Sequence, residues 1–269
     1  RAIAMRLAEE GARVAVTDLD VARAEETVSA MGSGLAIAAD AADAAACQDV
    51  VHHVEVAFGQ IDIVVLNVGI SGGQKIKTQT LDDWQATVNT NVTSNWVTAQ
   101  AALPAMVERG KGVFGFVTSL AAVSSSGSSL AYEATKSAQL GVMRHIAVRY
   151  ASRGIRSNAL VLGVIDSAMV RKAFGNTDDR HSMRDAMAPI GRQGHPSEVA
   201  AAAAFLASDD ASYVTGTSLI VDGGGMHTAA QRADNVAEDA ARASGQQIVG
   251  TLSARGIDTV VDPVRAVAA

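Results

Sequence analysis

Short apolar runs alternate with longer segments of helical pattern from position 1 to about position 226. Apolar runs bounded by polar or glycine residues are typical of buried strands. Six such runs predict strands at Arg13–Thr17, Leu35–Ala39, Asp62–Leu66, Gly112–Thr118, Arg156–Leu162 and Ser218–Val221. Helical segments separate most of them, which is the arrangement of βαβ units. The pattern therefore predicts an α/β fold with a doubly wound, mostly parallel sheet between two layers of helices.

Residues at the ends of the helical segments support these boundaries. Asp20 and Asp43 stand where side-chain caps of helices are expected. Thr80 opens the sequence TLDD, which resembles a capping box and begins a helical region that reaches Arg109. Gly11 is placed to end the first helix, because glycine readily adopts the left-handed conformation of that position.

The carboxyl ends of the first three predicted strands carry polar or small residues. Asp18 and Asp40 follow the first two strands, and Asn67 and Gly69 follow the third. Ligands of open α/β sheets bind at this edge. A carboxylate such as that of Asp18 can accept hydrogen bonds from both hydroxyls of an adenosine ribose and repels a 2′-phosphate, which favours NAD over NADP. The alternatives are local: Asp18 caps the next helix, and Asp40 only starts a turn.

Tyr132 and Lys136 form the pattern with the most specific chemistry. In a helix they lie one turn apart on the same face. A free phenol has a pKa near ~10, and a neighbouring ammonium group stabilises the phenolate and lowers that pKa. The pair would act as a general acid and base for an alcohol–ketone interconversion, with the Ser119 hydroxyl holding the reacting oxygen. The alternative is a chance Tyr-x-x-x-Lys spacing near a serine-rich segment.

Composition narrows the class of protein. With 269 residues, 48% of them hydrophobic and 19% charged, the chain can form one large domain or two small ones with a substantial core. The net charge of −6 without a basic cluster argues against a nucleic-acid partner. The single cysteine, Cys47, excludes an internal disulfide framework and indicates a reducing compartment, the cytoplasm. No apolar run of about eighteen residues is present, so no membrane span is expected, and no metal site is expected.

Seven pieces of sequence occur in a recognisable order. They are VTDLD (16–20), NVGI (67–70), TNV (90–92), TSLAA (118–122), YEATK (132–136), GVIDS (163–167) and TGTSLIVDGG (215–224). Together they make residues 1–226 similar to the short-chain dehydrogenase/reductase superfamily. The resemblance implies a Rossmann-type domain at 1–226, and residues 227–269 are an extension of unknown role.

The resemblance also implies an activity and its residues. The implied tetrad is Asn91, Ser119, Tyr132 and Lys136, acting in hydride transfer between NAD and a secondary alcohol or ketone. Tyr132 would exchange the proton, Ser119 would position the substrate oxygen, Lys136 would lower the phenol pKa and hold the nicotinamide ribose, and Asn91 would support a water in a proton relay. The implied cofactor contacts are Asp18, Asp40, Ala41, Asn67, Gly69, Tyr132, Lys136, Ile165 and Ser167. A small-molecule substrate and a homotetramer or homodimer are implied as partners.

The sequence departs from the family pattern at two internal positions. Paired asparagines are usual after the fourth family strand, and here they are Leu66 and Asn67. A proline usually precedes the glycine of the GVIDS piece, and here it is Leu162. Either change is expected to soften the cofactor pocket, and neither removes a reacting group.

The largest departure is at the front. Family members begin with a strand and a glycine-rich turn that cradles the cofactor pyrophosphate. Arg1 stands where the residue after that turn belongs, so the missing strand would lie between those that end at Asp18 and Leu66. We expect a fragment whose native start lies roughly twenty residues upstream. The alternative is that the strand-like segments Gln247–Thr251 and Asp258–Val261 fill the gap.

Structures are also predicted for two other segments, and two alternative functions are considered. Met169–Gly194 is expected to form a helical flap that, with the loop Ser71–Thr80, walls the substrate site; an ordinary surface excursion is the alternative. Thr228–Ser244 has the pattern of an amphipathic helix. A catalytically impaired relative with a binding or assembly role is the second functional hypothesis. An epimerase or dehydratase is the third, although such relatives usually carry a larger substrate domain.

Overall fold

The structure, a computed structural model, describes residues 1–72, 75–125 and 129–227. These residues form six strands: β1 Ala15–Asp18, β2 Leu35–Ala38, β3 Ile63–Leu66, β4 Gly112–Ser119, β5 Ile155–Leu162 and β6 Ser218–Val221. The α-helices are α1 Ala2–Glu9, α2 Val21–Met31, α3 Ala44–Phe58, α4 Leu81–Val88, α5 Ser94–Arg109, α6 Leu130–Tyr150, α7 Ala168–Phe174, α8 Asp178–Asp185 and α9 Pro196–Ala207. The expected segments Thr228–Ser244, Gln247–Thr251 and Asp258–Val261 lie outside the described residues.

The six described strands pair in parallel and form two ladders. One ladder pairs β1 with β2, and the other has the order β3-β4-β5-β6. The longest pairing joins β4 and β5 from Gly112↔Ile155 to Ser119↔Leu162. The predicted parallel α/β architecture is thus confirmed. Within the described part of the chain β1 and β3 are not paired, and they belong to different ladders.

Strand boundaries differ from the predictions by one or two residues. β1 begins at Ala15 rather than Arg13, because its first pair with β2 is Ala15↔Leu35. β4 extends one residue further than predicted and includes Ser119, which pairs with Leu162 at the end of β5. The candidate active-site serine is therefore held by the ladder itself.

The largest core cluster lies between the β3–β5 part of the sheet and the helices α5 and α6. Phe114 and Phe116 of β4 are fully buried there against Met143 and Ile146 of α6. Burial of one such side chain stabilises the fold by roughly 1.5–3 kcal/mol. A second cluster joins the sheet to α9 through residues such as Leu160 and Leu206. This packing fixes α6 against β4, which sets the geometry of the candidate site.

The predicted helix caps are observed. The side chains of Asp20 and Asp43 accept hydrogen bonds from the second backbone N–H of their helices, and Thr80 accepts one from Asp83 N. His195 caps α9 in a capping box with Glu198. The hydrogen bonds from Arg192 and from the His195 backbone lower the pKa of Glu198 to about 2.

The helical region predicted from Thr80 to Arg109 is interrupted. Between α4 and α5, residues Asn89–Thr93 form a π-helical turn. A π-turn releases carbonyl groups from the regular hydrogen-bond ladder and often occurs at functional sites. No helix in residues 1–72, 75–125 and 129–227 has the length and hydropathy needed to cross a membrane.

Candidate active site

Ser119, Tyr132 and Lys136 come together where β4 ends and α6 begins. Ser119 is the last residue of β4, and its Oγ accepts a hydrogen bond from Ala121 N at 3.3 Å. Tyr132 is the third residue of α6, and Lys136 follows one turn later. The Thr118 hydroxyl donates to the Lys136 carbonyl oxygen at 3.2 Å, so the strand end and the helix are joined directly beside these residues.

Lys136 is a buried cation on the tyrosine side of α6. Its residue is 4% exposed, and its Nζ lies 5.6 Å from the centroid of the Tyr132 ring. At this separation an ammonium group is attracted to the ring. Lys136 Nζ also donates a hydrogen bond to the Val117 carbonyl oxygen at 3.0 Å. The phenol and the ammonium group therefore belong to one site.

Burial shifts both titratable groups of this pair. Burial raises the pKa of the Tyr132 phenol, and the interaction with the Ser119 side chain opposes that rise. Burial lowers the pKa of Lys136 to about 8. We expected Lys136 to lower the pKa of the Tyr132 phenol, whereas burial of the phenol raises that pKa.

Asn91 is fully buried in the π-turn, whereas asparagines inside helices usually face solvent. Its Oδ1 accepts a hydrogen bond from Ile70 N at 2.8 Å, and its Nδ2 donates to Ile70 O at 2.9 Å. The same Nδ2 donates to Thr135 Oγ1 at 3.0 Å. The side chain thus joins the loop after β3 to the turn of α6 between Tyr132 and Lys136.

Residues beyond the predicted set contribute to this region. The Thr135 hydroxyl donates to the Tyr132 carbonyl oxygen at 3.0 Å, and Gln139 Nε2 donates to the Asn91 carbonyl oxygen at 2.8 Å. Gln139 is fully buried. Both residues lie on the buried face of α6. Thr135 follows Tyr132 by three positions and Gln139 follows Lys136 by three, and that spacing was the available signal in the sequence.

The predicted nucleotide-binding residues at the ends of β1 and β2 are held by local turns. Asp18 Oδ1 accepts a hydrogen bond from Asp20 N at 3.1 Å, and Asp40 Oδ1 accepts one from Ala42 N at 2.8 Å. Asp18 and Ala41 are half-buried, and Asp40 is exposed. Asp20 caps α2, so the Asp18 carboxylate is not the cap of that helix.

The other predicted cofactor contacts lie along the ends of β3 and β5. Asn67 is exposed, and Gly69 packs so closely that a Cβ there would lie 3.3 Å from both Asn91 Oδ1 and Lys136 Nζ. The Ile165 side chain is buried, but Val164 O and Asp166 N make the hydrogen bonds to Gly194. The Ile165 backbone groups therefore point away from Gly194.

Ser167 has a structural role that was not predicted from the sequence. Its Oγ accepts a hydrogen bond from Val170 N at 3.3 Å and so caps α7. The two residues that depart from the family pattern pack in the interior. Leu66 is buried in the large core cluster, and Leu162 packs on the cluster against α9. The Leu66 side chain therefore contributes to the core.

The predicted flap is helical, consisting of α7 and α8. It is fastened by Arg184, which is fully buried and donates from Nε to Gln193 Oε1 at 2.8 Å. Arg184 also donates to the Gly175 carbonyl oxygen and to His181 Nδ1. At the start of the flap, Arg171 pairs with Asp166 at 2.6 Å. These contacts show a structured segment between Ser167 and His195.

Comparison with known proteins assigns the family. A family model described as enoyl-(acyl carrier protein) reductase matches residues 1–227. The D-threitol dehydrogenase of Mycolicibacterium smegmatis is 34% identical over 227 residues, which cover 83% of this chain and 86% of that protein. The chain belongs to the short-chain dehydrogenase/reductase superfamily. Its relatives include alcohol and ketone dehydrogenases and reductases that use a nicotinamide cofactor.

Two further members of the superfamily are similar to this chain. The crystal structure of a putative gluconate dehydrogenase from Agrobacterium tumefaciens has a TM-score of 0.79 and 27% identity, covering 84% of this chain and 90% of that chain. A protein of Xanthobacter autotrophicus described as inactive 2-(S)-hydroxypropyl-CoM dehydrogenase 2 is 36% identical over 221 residues, covering 80% of this chain and 95% of that protein. One of the relatives that resemble this chain is thus described as inactive.

Proposed function

We propose that this chain is an NAD-dependent oxidoreductase that interconverts a secondary alcohol and a ketone. The observation that carries the proposal is the position of Lys136 Nζ, 5.6 Å from the Tyr132 ring centroid. The interaction of Ser119 with the same phenol supports it. A proton acceptor, a substrate-positioning hydroxyl and a cation at one strand end are the groups that this chemistry requires.

In the direction of alcohol oxidation, three side chains divide the work. The Ser119 hydroxyl donates a hydrogen bond to the substrate oxygen. The Tyr132 phenolate removes the hydroxyl proton, so that the oxygen electrons form the C=O bond as hydride leaves the adjacent carbon. Lys136 stabilises the phenolate through its charge. The nicotinamide, when bound, supplies the acceptor for the hydride.

The residues of this chain fit the nicotinamide end of the cofactor. An ammonium group has three N–H donors, and one of those of Lys136 is used by Val117 O, so donors are available for ribose hydroxyls. Gly69 leaves the space beside Lys136 that a side chain would fill. The Ile165 backbone groups would meet the carboxamide. Asn67 and Ser167 would line the same pocket.

The residues at the β1 and β2 ends fit the adenosine end. The Asp18 carboxylate, which is not the cap of α2, would accept hydrogen bonds from the ribose hydroxyls, and its charge disfavours a 2′-phosphate. Asp40 and Ala41 would contact the adenine. The proposed cofactor is therefore NAD rather than NADP.

The proposal includes a small-molecule alcohol or ketone as substrate, a cytoplasmic location, and assembly as a homotetramer or homodimer. Several large apolar side chains are exposed on the described surface, among them Trp96, Val148, Phe205 and Tyr213. Such residues support association between copies when they form contiguous patches.

The direct test is a turnover assay of the 269-residue chain with a panel of secondary alcohols, supplying NAD or NADP and following the reduced cofactor. We expect turnover with at least one polyol, sugar or hydroxy acid, and a preference for NAD. Lack of turnover with every alcohol, combined with lack of NADH binding in a fluorescence titration, would contradict the proposed function.

A catalytically impaired protein with a binding or assembly role is the second candidate. The similarity to an inactive relative favours it. The two candidates differ in one result: an impaired protein would bind NADH but would not reduce NAD with any alcohol of the panel.

A further inference from the structure

The first turn of α6 carries Tyr132 and, in the described part of the chain, begins without a side-chain cap. The hydroxyl of the N-cap residue, Ser129, donates instead to the Ser71 carbonyl oxygen in the loop after β3. The first N–H groups of a helix have no partner within the helix, so an uncapped first turn is the part of a helix that is held least by its own hydrogen bonds. The position of Tyr132 therefore depends on contacts with other elements.

A second hydroxyl, that of Thr135, connects the same turn to the same loop. Ile70 N donates to Asn91 Oδ1, which fixes the orientation of the Asn91 amide, and Asn91 Nδ2 donates to Ile70 O and to Thr135 Oγ1 at 3.0 Å. An amide NH₂ group can only donate, so the Thr135 oxygen is the acceptor in this contact. The Thr135 hydroxyl then donates its own hydrogen to the Tyr132 carbonyl oxygen at 3.0 Å. These four residues form one chain of hydrogen bonds from the loop to Tyr132.

The middle of this chain is shielded from solvent. Asn91 is fully buried, and Thr135 is 2% exposed. A valine has nearly the shape of threonine but accepts no hydrogen bond, so it would leave one N–H of the Asn91 amide without its acceptor. Because an unsatisfied buried donor is unfavourable, the Asn91 side chain would no longer be held in one orientation.

The loop at the other end of the chain is the one proposed to hold the nicotinamide. Gly69 precedes Ile70, and a Cβ at Gly69 would lie 3.3 Å from both Asn91 Oδ1 and Lys136 Nζ. The loop is thus packed directly against the buried amide and the buried cation. The chain of hydrogen bonds therefore joins the cofactor side of the candidate site to the phenol side.

We propose that Thr135 is a positioning residue that couples the loop of residues 67–71 to the helical turn of Tyr132. Its hydroxyl holds the Asn91 amide and the Tyr132 carbonyl together, so the phenol keeps its place relative to a nicotinamide bound against the loop. A displacement of about 1 Å at a reacting group can lower a rate by ~10²-fold. The predicted role of Asn91 in the proton relay is unchanged, and the inference rests on the proposed oxidoreductase function.

The first test is amide hydrogen exchange of the full chain without cofactor, which does not depend on activity. The exchange rate of the Ile70 amide reports how firmly Asn91 Oδ1 is held, because Ile70 N donates to it. Thr135→Val removes the hydroxyl at nearly constant shape, and we expect it to speed exchange at Ile70 by ~10-fold. Thr27→Val is the matched control and should leave that rate unchanged: Thr27 is 5% exposed on α2 and donates to Arg23 O at 3.0 Å.

The second test is steady-state kinetics with an alcohol that the wild-type chain oxidises. Thr135→Val should lower kcat by ~10-fold and keep KM and NADH affinity within ~3-fold of wild type, because the groups proposed to contact substrate and cofactor all remain. Thr135→Ser retains the hydroxyl and should keep kcat within ~2-fold of wild type. Thr27→Val should have the wild-type kcat.

A second pair of variants, Thr135→Ser and Thr135→Ala, differs by one oxygen atom. It decides the question if Thr135→Val does not fold, as judged by circular dichroism. We expect the serine variant to keep the wild-type exchange rate at Ile70 and the wild-type kcat, and the alanine variant to show faster exchange and a lower kcat. Equal values for the two variants would overturn the proposal.

The two measurements separate this inference from the proposed function. If folded Thr135→Val exchanges the Ile70 amide at the wild-type rate, or exchanges it faster with an unchanged kcat, the positioning role is wrong and the oxidoreductase function stands. A wild-type chain without turnover on the whole alcohol panel would instead contradict the oxidoreductase function, and the positioning role would fall with it.

Discussion

The two halves of the candidate site are built differently. Around the first turns of α6, Asn91 and Gln139 are fully buried and Lys136 is 4% exposed, and their hydrogen bonds reach up to 48 residues along the chain. At the ends of β1 and β2, Asp18 and Asp40 accept hydrogen bonds from residues two positions away and are partly or fully open to solvent. The half proposed for proton transfer is fixed by tertiary packing, and the half proposed for nucleotide binding is fixed by local turns.

The difference teaches what each half can tolerate. A buried network over-determines its members, so one substitution disturbs several groups. An exposed turn depends on a few local hydrogen bonds, so a substitution there changes affinity and little else. The predictions below begin with the buried half and end at the exposed half.

The largest effect is expected from Tyr132→Phe. The substitution removes one hydroxyl, and the proposed proton acceptor with it, so kcat should fall by ~10³-fold or more, a loss of about 4 kcal/mol in transition-state stabilisation. NADH affinity should stay within ~3-fold of wild type, as measured by fluorescence titration. Tyr150→Phe, at the far end of the same helix, is the matched control and should retain normal turnover.

Lys136→Met should abolish turnover and also stabilise the fold at neutral pH. The pKa of Lys136 lies near 8 in the folded chain, against 10.5 as the ordinary value. Between these two pH values the unfolded chain binds more protons, so the wild-type free energy of unfolding rises with pH through this window by up to about 3 kcal/mol. Lys136→Met should lack that rise.

The measurement is denaturant unfolding of both proteins across the same pH window. Lys111→Met, at an exposed lysine that pairs with Asp209, is the control and should change stability by less than ~0.5 kcal/mol throughout. Parallel pH curves for wild type and Lys136→Met would contradict the assignment of Lys136 as a buried cation that burial destabilises.

The smallest effect on the fold is expected at the exposed half. Asp18→Ala removes a charge near the proposed 2′-hydroxyl, so the ratio of NADH to NADPH affinity should fall by ~10-fold with almost no change in stability. Asp40→Ala should weaken both cofactors alike and keep the ratio. Equal affinities for NADH and NADPH in the wild type would contradict the proposal that Asp18 selects NAD over NADP.

The features that could be predicted from the sequence are those that depend on local contacts. The caps at Asp20, Asp43 and Thr80 depend on neighbours within three residues, and all three were predicted correctly. The six strands were found because their apolar runs are local, although the start of β1 at Ala15 depends on pairing with Leu35. The parallel α/β class followed from the order of these elements.

The features that escaped prediction depend on distant contacts. The π-turn at Asn89–Thr93 interrupts a region of regular helical pattern, and the Asn91 carbonyl oxygen accepts a hydrogen bond from Gln139 of another helix. Arg184 is polar in a surface-like sequence yet fully buried, because its partners lie at Gly175 and Gln193. The pKa of Tyr132 is raised although Lys136 is close, since the depth of burial cannot be read from spacing.

The central claim is that the Tyr132 phenol is the proton-exchanging group, and titration of its ultraviolet phenolate absorbance tests this claim most directly. The difference between the titration curves of wild type and Tyr132→Phe isolates this one phenol. The account predicts a pKa above the ordinary value of ~10 without NAD, because of burial. It also predicts a clear decrease when NAD is saturating, because binding adds a positively charged nicotinamide near the phenolate. A Tyr132 pKa that does not change on NAD binding would contradict the account.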